Sequence, residues 1–194
     1  LMYSLRVQET NTKRTNKKRL LISFMGVGEP LLNIDLIKKV YKYESLIKEN
    51  LGYESVAYAL STMMPNEELK GLTEFVNTNN MPLKIHFSLH SPIDEKRKAL
   101  IPFTKVTVSE ALDLLKNYSD IISKNEAIMN KHKLHHKSND LVEIHYTLIK
   151  GINDTSIELN ELVNLLTDKN ITIKFIRFNP KEEMKISLEE NKWC

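Results

Sequence analysis

Residues 83–90 read LKIHFSLH, and the two faces of this stretch decide which fold the chain adopts. Alternation of apolar and polar residues marks a β-strand, because successive strand side chains point to opposite sides. Leu83, Ile85, Phe87 and Leu89 share one face; Lys84, His86, Ser88 and His90 share the other. LVEIHYTLI (141–149) repeats the pattern, with Val142, Ile144, Tyr146 and Leu148 against Glu143, His145 and Thr147. In ESVAYALS (54–61) one face is small: Ser55, Ala57, Ala59 and Ser61. LLISFM (20–25) and ITIKFIRF (171–178) complete five predicted strands.

Amphipathic stretches separate the strands. Asn33 caps a predicted helix that has Asp35 in its first turn and Ile34, Ile37, Val40 and Tyr41 at helical spacing. Pro65 and Glu67–Glu68 open the next, whose apolar face carries Leu69, Leu72, Phe75 and Val76. Further helices are expected over 94–101, 108–122 and about 156–168, the first two separated by Pro102. Such strand–helix alternation builds a parallel sheet with right-handed crossovers. A doubly wound sheet is covered on both faces and needs apolar side chains on both. Here one face is polar or small, which favours an incomplete barrel lined for a polar ligand. The site of such a fold lies at the C-terminal ends of the strands. Those ends carry Gly26–Pro30, Ser61–Thr62, Ser88–His90, Ile149–Gly151 and Asn179–Pro180.

The 194 residues, 41% hydrophobic and 27% charged, suit one globular domain over 1–194, with 123–140 as a long insertion or loop. No apolar run reaches the roughly 18–20 residues of a membrane span. The polar, basic start LMYSLRVQETNTKR lacks the apolar core of a signal peptide. The sole cysteine, Cys194, excludes an intramolecular disulfide, and a cytoplasmic setting is expected. The net charge of +3 does not by itself imply a nucleic-acid partner. Two basic clusters, TKRTNKKR (12–19) and NKHKLHHK (130–137), read as solvated loops or as RNA-facing patches. The first ten residues read as the tail of a helix and the last ones as the start of another. A fragment of a longer protein is therefore expected.

The turn FMGVGEPLLN (24–33) follows a strand and contains Gly-x-Gly, yet it fits neither phosphate motif. Leu31 stands where a dinucleotide fingerprint needs its third glycine, and the Gly-Lys-Ser/Thr of a P-loop is absent. Gly28 permits close approach of a ligand to the backbone, and Glu29 offers an acceptor suited to an ammonium group. A plain structural turn is the alternative. Ser61 and Ser88 are equally read as helix caps, His90 as bonding a loop carbonyl, and Asn179 as an ordinary turn. Their convergence at one mouth favours a binding site. His132, His135 and His136 have helical spacing, but their lysine neighbours oppose a cation and no cysteine or carboxylate completes a set, so no metal ligands are assigned.

Four segments together carry a resemblance. FMGVGEPLLN is similar to the F-M-G-M-G-E-P-L-L-N of the RlmN/Cfr family of radical S-adenosylmethionine (SAM) RNA methyltransferases. SLHSPIDEKR (88–97), continued by Leu100-Ile101-Pro102, resembles the family's S-L-H-A-P-N-D-E-x-R; YTLIKGIND (146–154) resembles Y-x-L-x-x-G-V-N-D; FNP (178–180) resembles F-N-P. Order and approximate spacing agree over about 24–180. The resemblance implies a partial (βα)6 TIM-like barrel of the radical SAM type, without its first strand and cluster loop. It implies SAM contacts from Gly28, Glu29, Ser61, Ser88, Leu89, His90 and Asn179. It also implies a 4Fe-4S cluster in the parent protein, methyl transfer to adenine C2 or C8 of rRNA or tRNA, a flavodoxin- or ferredoxin-like reductant, and a monomer.

The chain departs from the family in ways that bear on chemistry. The Cys-x3-Cys-x2-Cys motif and the family's general-base glutamate are absent, and the methyl-accepting cysteine lies further beyond Asn-Pro than Cys194 does. No catalytic residue is therefore assigned in these 194 residues, which are expected to be inactive alone. Met63-Met64 replaces Ser-Gly, Arg177 replaces proline, and 123–140 is longer than the family segment. A divergent radical SAM enzyme with another substrate and a non-catalytic SAM- or RNA-binding module are the alternatives.

Overall fold

The computed structural model describes the backbone of residues 5–10 and all of residues 18–136, 140–167, 169 and 171–179. Among the described residues six strands form one sheet: β1 (Leu5–Thr10), β2 (Arg19–Phe24), β3 (Ser55–Thr62), β4 (Leu83–Ser88), β5 (Val142–Leu148) and β6 (Thr172–Arg177). They lie side by side in chain order. The pair β1–β2 is antiparallel, and every later pair is parallel. A doubly wound sheet reverses its strand order at a switch point. This order never reverses, so the crossovers accumulate on one face and the other face stays concave, as in a section of barrel. β1 and β6 do not pair, and the barrel is open.

The expected helical tail at the start is overturned: Leu5–Thr10 is a strand in register with β2, from Leu5 opposite Phe24 to Thr10 opposite Arg19. Its LRVQET alternates apolar and polar residues, and pairing with β2 prevails over local propensity.

The helices are α1 (Ile34–Lys42), α2 (Glu44–Leu51), α3 (Leu69–Thr78), α4 (Asp94–Leu100), α5 (Val108–Ile122), α6 (Glu126–His135) and α7 (Ser156–Leu166). Asn33 caps α1 by accepting from Leu36 N at 3.3 Å. Thr107 and Glu110 form a reciprocal capping box at α5. Gly52, at φ 69°, ends α2 in the left-handed conformation that a side chain disfavours.

The apolar strand face meets the helices in one core. Leu83, Ile85, Phe87, Ile144 and Tyr146 pack with Leu69, Leu72 and Val76 of α3 and Leu112, Leu115 and Tyr118 of α5. Tyr118 is fully buried, and its hydroxyl donates to Leu83 O at 2.6 Å.

The stretch 123–140, expected as an insertion or loop, contains α6. Asn125 starts the helix by accepting from Ile128 N at 3.2 Å. Its C-terminal end meets the start of β2 and β3. Arg19 donates to Leu134 O, and His135 Nε2 lies 2.9 Å from Ser55 Oγ. Arg19 and Ser55 are register partners at the beginning of their strands. The helix therefore packs against the N-terminal end of the sheet, opposite the strand ends predicted to carry the site. The basic cluster NKHKLHHK falls largely on this helix, where His132 is buried and Lys133 exposed. Of TKRTNKKR only Lys18 and Arg19 lie among the described residues.

Candidate functional site at the strand ends

The turn after β2 is built around one carboxylate. Glu29 is 7% exposed, and it accepts from Leu31 N at 3.0 Å, Thr62 Oγ1 at 2.6 Å and Met63 N at 2.9 Å. It thus caps the 3-10 turn Pro30–Leu32 and ties that turn to the end of β3. Gly26 and Gly28 stand at φ 109° and 85°, which only glycine adopts readily.

This turn forms one wall of a cleft of about 550 Å³ lined by Gly28, Glu29, Leu32, Met63, Pro65, Asn66, Phe103 and Lys105. Leu32 and Phe103 are 65% and 75% exposed, an unusual state for large apolar side chains and one that suits an apolar or aromatic ligand. Arg97, from the segment after β4, is buried; it donates to Met63 O at 2.5 Å and stacks over Phe87. It fixes the wall of the cleft from behind. Met64, which follows, stands at φ 53° and is fully buried. A left-handed residue here has a physical reason to be glycine.

The cleft gathers Gly28 and Glu29 but none of the other sequence-predicted residues. Ser61 is half-buried near the end of β3, opposite His86. Ser88 ends β4 opposite His145. The Leu89 side chain is buried in the core, and its N–H donates to His145 O at 3.0 Å. Asn179 is exposed just beyond β6. Cys194 lies outside the described residues.

His90 stands at φ 59° and is tied into a clasp that the sequence reading did not anticipate. Its Nδ1 accepts from Thr147 N at 3.0 Å, so the neutral ring carries its proton on Nε2. Its carbonyl accepts from Asn153 Nδ2 at 2.6 Å. Asn153, buried, also donates to Thr147 O at 2.8 Å and accepts from Ile149 N at 2.6 Å. The GIND turn thus locks the ends of β4 and β5 together. Burial, aided by Arg97 and His145, holds the His90 pKa below its ordinary value.

One row below Ser88, the concave face carries a second polar group. Lys84 Nζ lies 3.2 Å from Glu143 Oε2, and His86 and His145 both approach Glu143 Oε1. Burial lowers the His86 pKa to about 4, with His145 and Lys84 adding and Glu143 opposing. Burial pushes the Glu143 carboxyl up, but hydrogen bonds from His145 and Lys84 outweigh it and hold the pKa at about 2. The alternation in β4 and β5 placed all four residues on one face. What the sequence lacked was the register, in which His86 pairs with Glu143.

No family model matches the chain. Among curated proteins it is similar to RNA methyltransferases named RlmN, of the dual-specificity type. It is 28% identical to the one from Thermotoga sp. (strain RQ2) over 179 residues, 91% of this chain and 46% of that protein. It is 31% identical to one from Bacteroides fragilis (strain YCH46) over 159 residues, 81% of this chain and 40% of that protein. Among solved structures it resembles a radical SAM methyltransferase from Sphaerobacter thermophilus, with a TM-score of 0.55 and 19% identity over 87% of this chain and 46% of that one. It also resembles Streptococcus suis SuiB bound to S-adenosylmethionine, with a TM-score of 0.54 and 14% identity over 89% of this chain and 36% of that one. The chain spans less than half the length of these relatives. The chain is thus similar in sequence to part of these RlmN proteins and shares its fold, an open section of barrel, with the two solved structures.

Proposed function

We propose that this chain is the SAM-binding part of a radical SAM enzyme of the RlmN type, which methylates adenine C2 or C8 in rRNA or tRNA. The observation that carries the reading is the GEP turn: two left-handed glycines and a buried carboxylate beside an apolar-rimmed cleft at the C-terminal end of β2. Relatives named RNA methyltransferases support the RNA substrate. A reductant such as flavodoxin or ferredoxin, a monomeric state and a cytoplasmic setting belong to the same reading. Among the described residues no helix is long and apolar enough to cross a membrane.

The residues present fit SAM. Gly28 leaves the backbone open to the methionine end, and the negative charge of Glu29 in the cleft wall favours its ammonium group. That carboxylate already serves three protein donors, so Glu29 acts as much by shaping the turn as by its charge. Leu32 and Phe103 offer apolar cover, and Lys105 a cation for the carboxylate of the ligand. Ser61, Ser88, Leu89, His90 and Asn179, at the neighbouring strand ends and outside this cleft, belong to the same proposed SAM site. Bound SAM would supply the transferable methyl group and the radical precursor. The residues present do not fit a 4Fe-4S cluster: cluster ligation needs several thiolates, and the chain has one cysteine. The ligands are assigned to the parent protein outside these residues.

The test is methylation of unmodified rRNA and tRNA by the parent protein, with adenine products read by mass spectrometry. 2-Methyladenosine or 8-methyladenosine supports the reading. Cleavage of SAM without either product selects a divergent radical SAM enzyme instead. The absence of SAM cleavage by the reduced, cluster-loaded protein overturns both.

A further inference from the structure

His86, Glu143 and His145 bring three ligand atoms together on the concave face of the sheet. His86 Nδ1 lies 3.1 Å from His145 Nε2 and 3.3 Å from Glu143 Oε1, and His145 Nε2 lies 2.8 Å from the same oxygen. A single proton satisfies this triangle only in part. A ring nitrogen either donates or accepts. If His145 Nε2 donates to Glu143, it cannot also accept from His86. If it accepts from His86, its lone pair faces the carboxylate. With both rings protonated, two N–H groups face each other. A cation that receives all three lone pairs removes the conflict.

The dimensions suit a small ion. Tetrahedral bonds of about 2.0–2.1 Å place neighbouring ligand atoms about 3.3 Å apart. The three separations here fall within about 0.5 Å of that value, a difference that small side-chain rotations absorb. Lys84 holds the other carboxylate oxygen at 3.2 Å and so aims Oε1 at the histidines, as an outer-shell partner does. Its charge weakens cation binding but keeps the carboxylate in place. The side chains of His86, Glu143 and His145 are 14%, 17% and 19% exposed, so an ion can reach them from the open concave face. Two imidazoles and one carboxylate favour late first-row divalent metals over calcium or magnesium.

We propose that His86, Glu143 and His145 form a binding site for a late first-row divalent ion of the zinc class, with its remaining position open to water. This site is independent of the SAM reading, and its test contains no SAM. The 194-residue chain, purified free of metal, is titrated with Zn²⁺ against a chromophoric chelator and with Co²⁺ by visible absorption. One equivalent is expected to bind, with the intense d–d bands of a low-coordinate cobalt site. His86→Ala, His145→Ala and Glu143→Gln each weaken Zn²⁺ binding at least about a hundredfold, more than loss of an outer-shell partner does. His135→Gln, on α6, leaves it unchanged. Circular dichroism identifies any variant that does not fold, and Glu143→Gln, which preserves shape, then decides. Absence of stoichiometric binding, or binding that survives Glu143→Gln, overturns the proposal. So does binding lost in His135→Gln instead.

Discussion

The hydroxyl of Thr62 donates a 2.6 Å hydrogen bond to Oε1 of Glu29, joining the turn after β2 to the last residue of β3. The carboxylate is buried and ionised acceptors make the stronger hydrogen bonds, so this contact organises the cleft wall. Glu29→Ala leaves the Met63 and Leu31 amides and the Thr62 hydroxyl without this acceptor, and is expected to destabilise the fold by about 2–4 kcal/mol. Thr62→Val costs about 1–2 kcal/mol. In a urea-denaturation double-mutant cycle the pair should show a coupling of about 1–3 kcal/mol. A coupling near zero would contradict the organising role of the carboxylate.

Asn153 closes the other side of the site. Its amide makes three hydrogen bonds of 2.6–2.8 Å to the ends of β4 and β5 and is buried. Asn153→Ala is expected to cost about 2–4 kcal/mol by leaving buried backbone groups unpaired. It should also speed amide hydrogen exchange at Thr147, whose N–H donates to His90. Unchanged exchange there would show that the clasp does not depend on Asn153.

The histidines of α6 and its C-cap set a pH dependence. Burial, with Arg19 and His132 nearby, lowers the His135 pKa from 6.5 to about 4. Burial, with His132 and Lys84 as the leading charges, lowers that of His136 from 6.5 to about 3. Between these values and 6.5 the unfolded chain binds more protons than the folded one. Stability is therefore fully present above about pH 6.5, declines as pH falls to about 4, and levels off below about 3. Urea midpoints measured in a chelator should drop between pH 7.5 and 5, and His135→Gln with His136→Gln should flatten the slope. A midpoint independent of pH, or one that rises on acidification, would contradict this origin.

The sequence was most legible where one face of an element is dictated by burial. Alternation in β4 and β5 separated Ile85, Phe87 and Ile144 from His86, Ser88 and His145, and so distinguished a barrel section from a doubly wound sheet. Capping chemistry located the start of α1 at Asn33 for the same local reason. Contacts between distant segments were not legible. The strand at Leu5–Thr10 exists because β2 offers it a partner, and the triad of His86, Glu143 and His145 exists because of a register. At Glu29 the residue type and the turn were evident, but not its three internal donors, two of which come from β3 and the residue after it.

The most direct measurement is calorimetric titration of the chain with SAM, compared with Gly28→Val. Gly28 lines the cleft at φ 85°, where a β-branched residue is strained and intrudes on the ligand. Saturable binding of one SAM is expected, weakened at least about tenfold in a Gly28→Val variant that retains its circular dichroism. No saturable binding, or equal affinity in the folded variant, would contradict the assignment of the GEP turn as the SAM site.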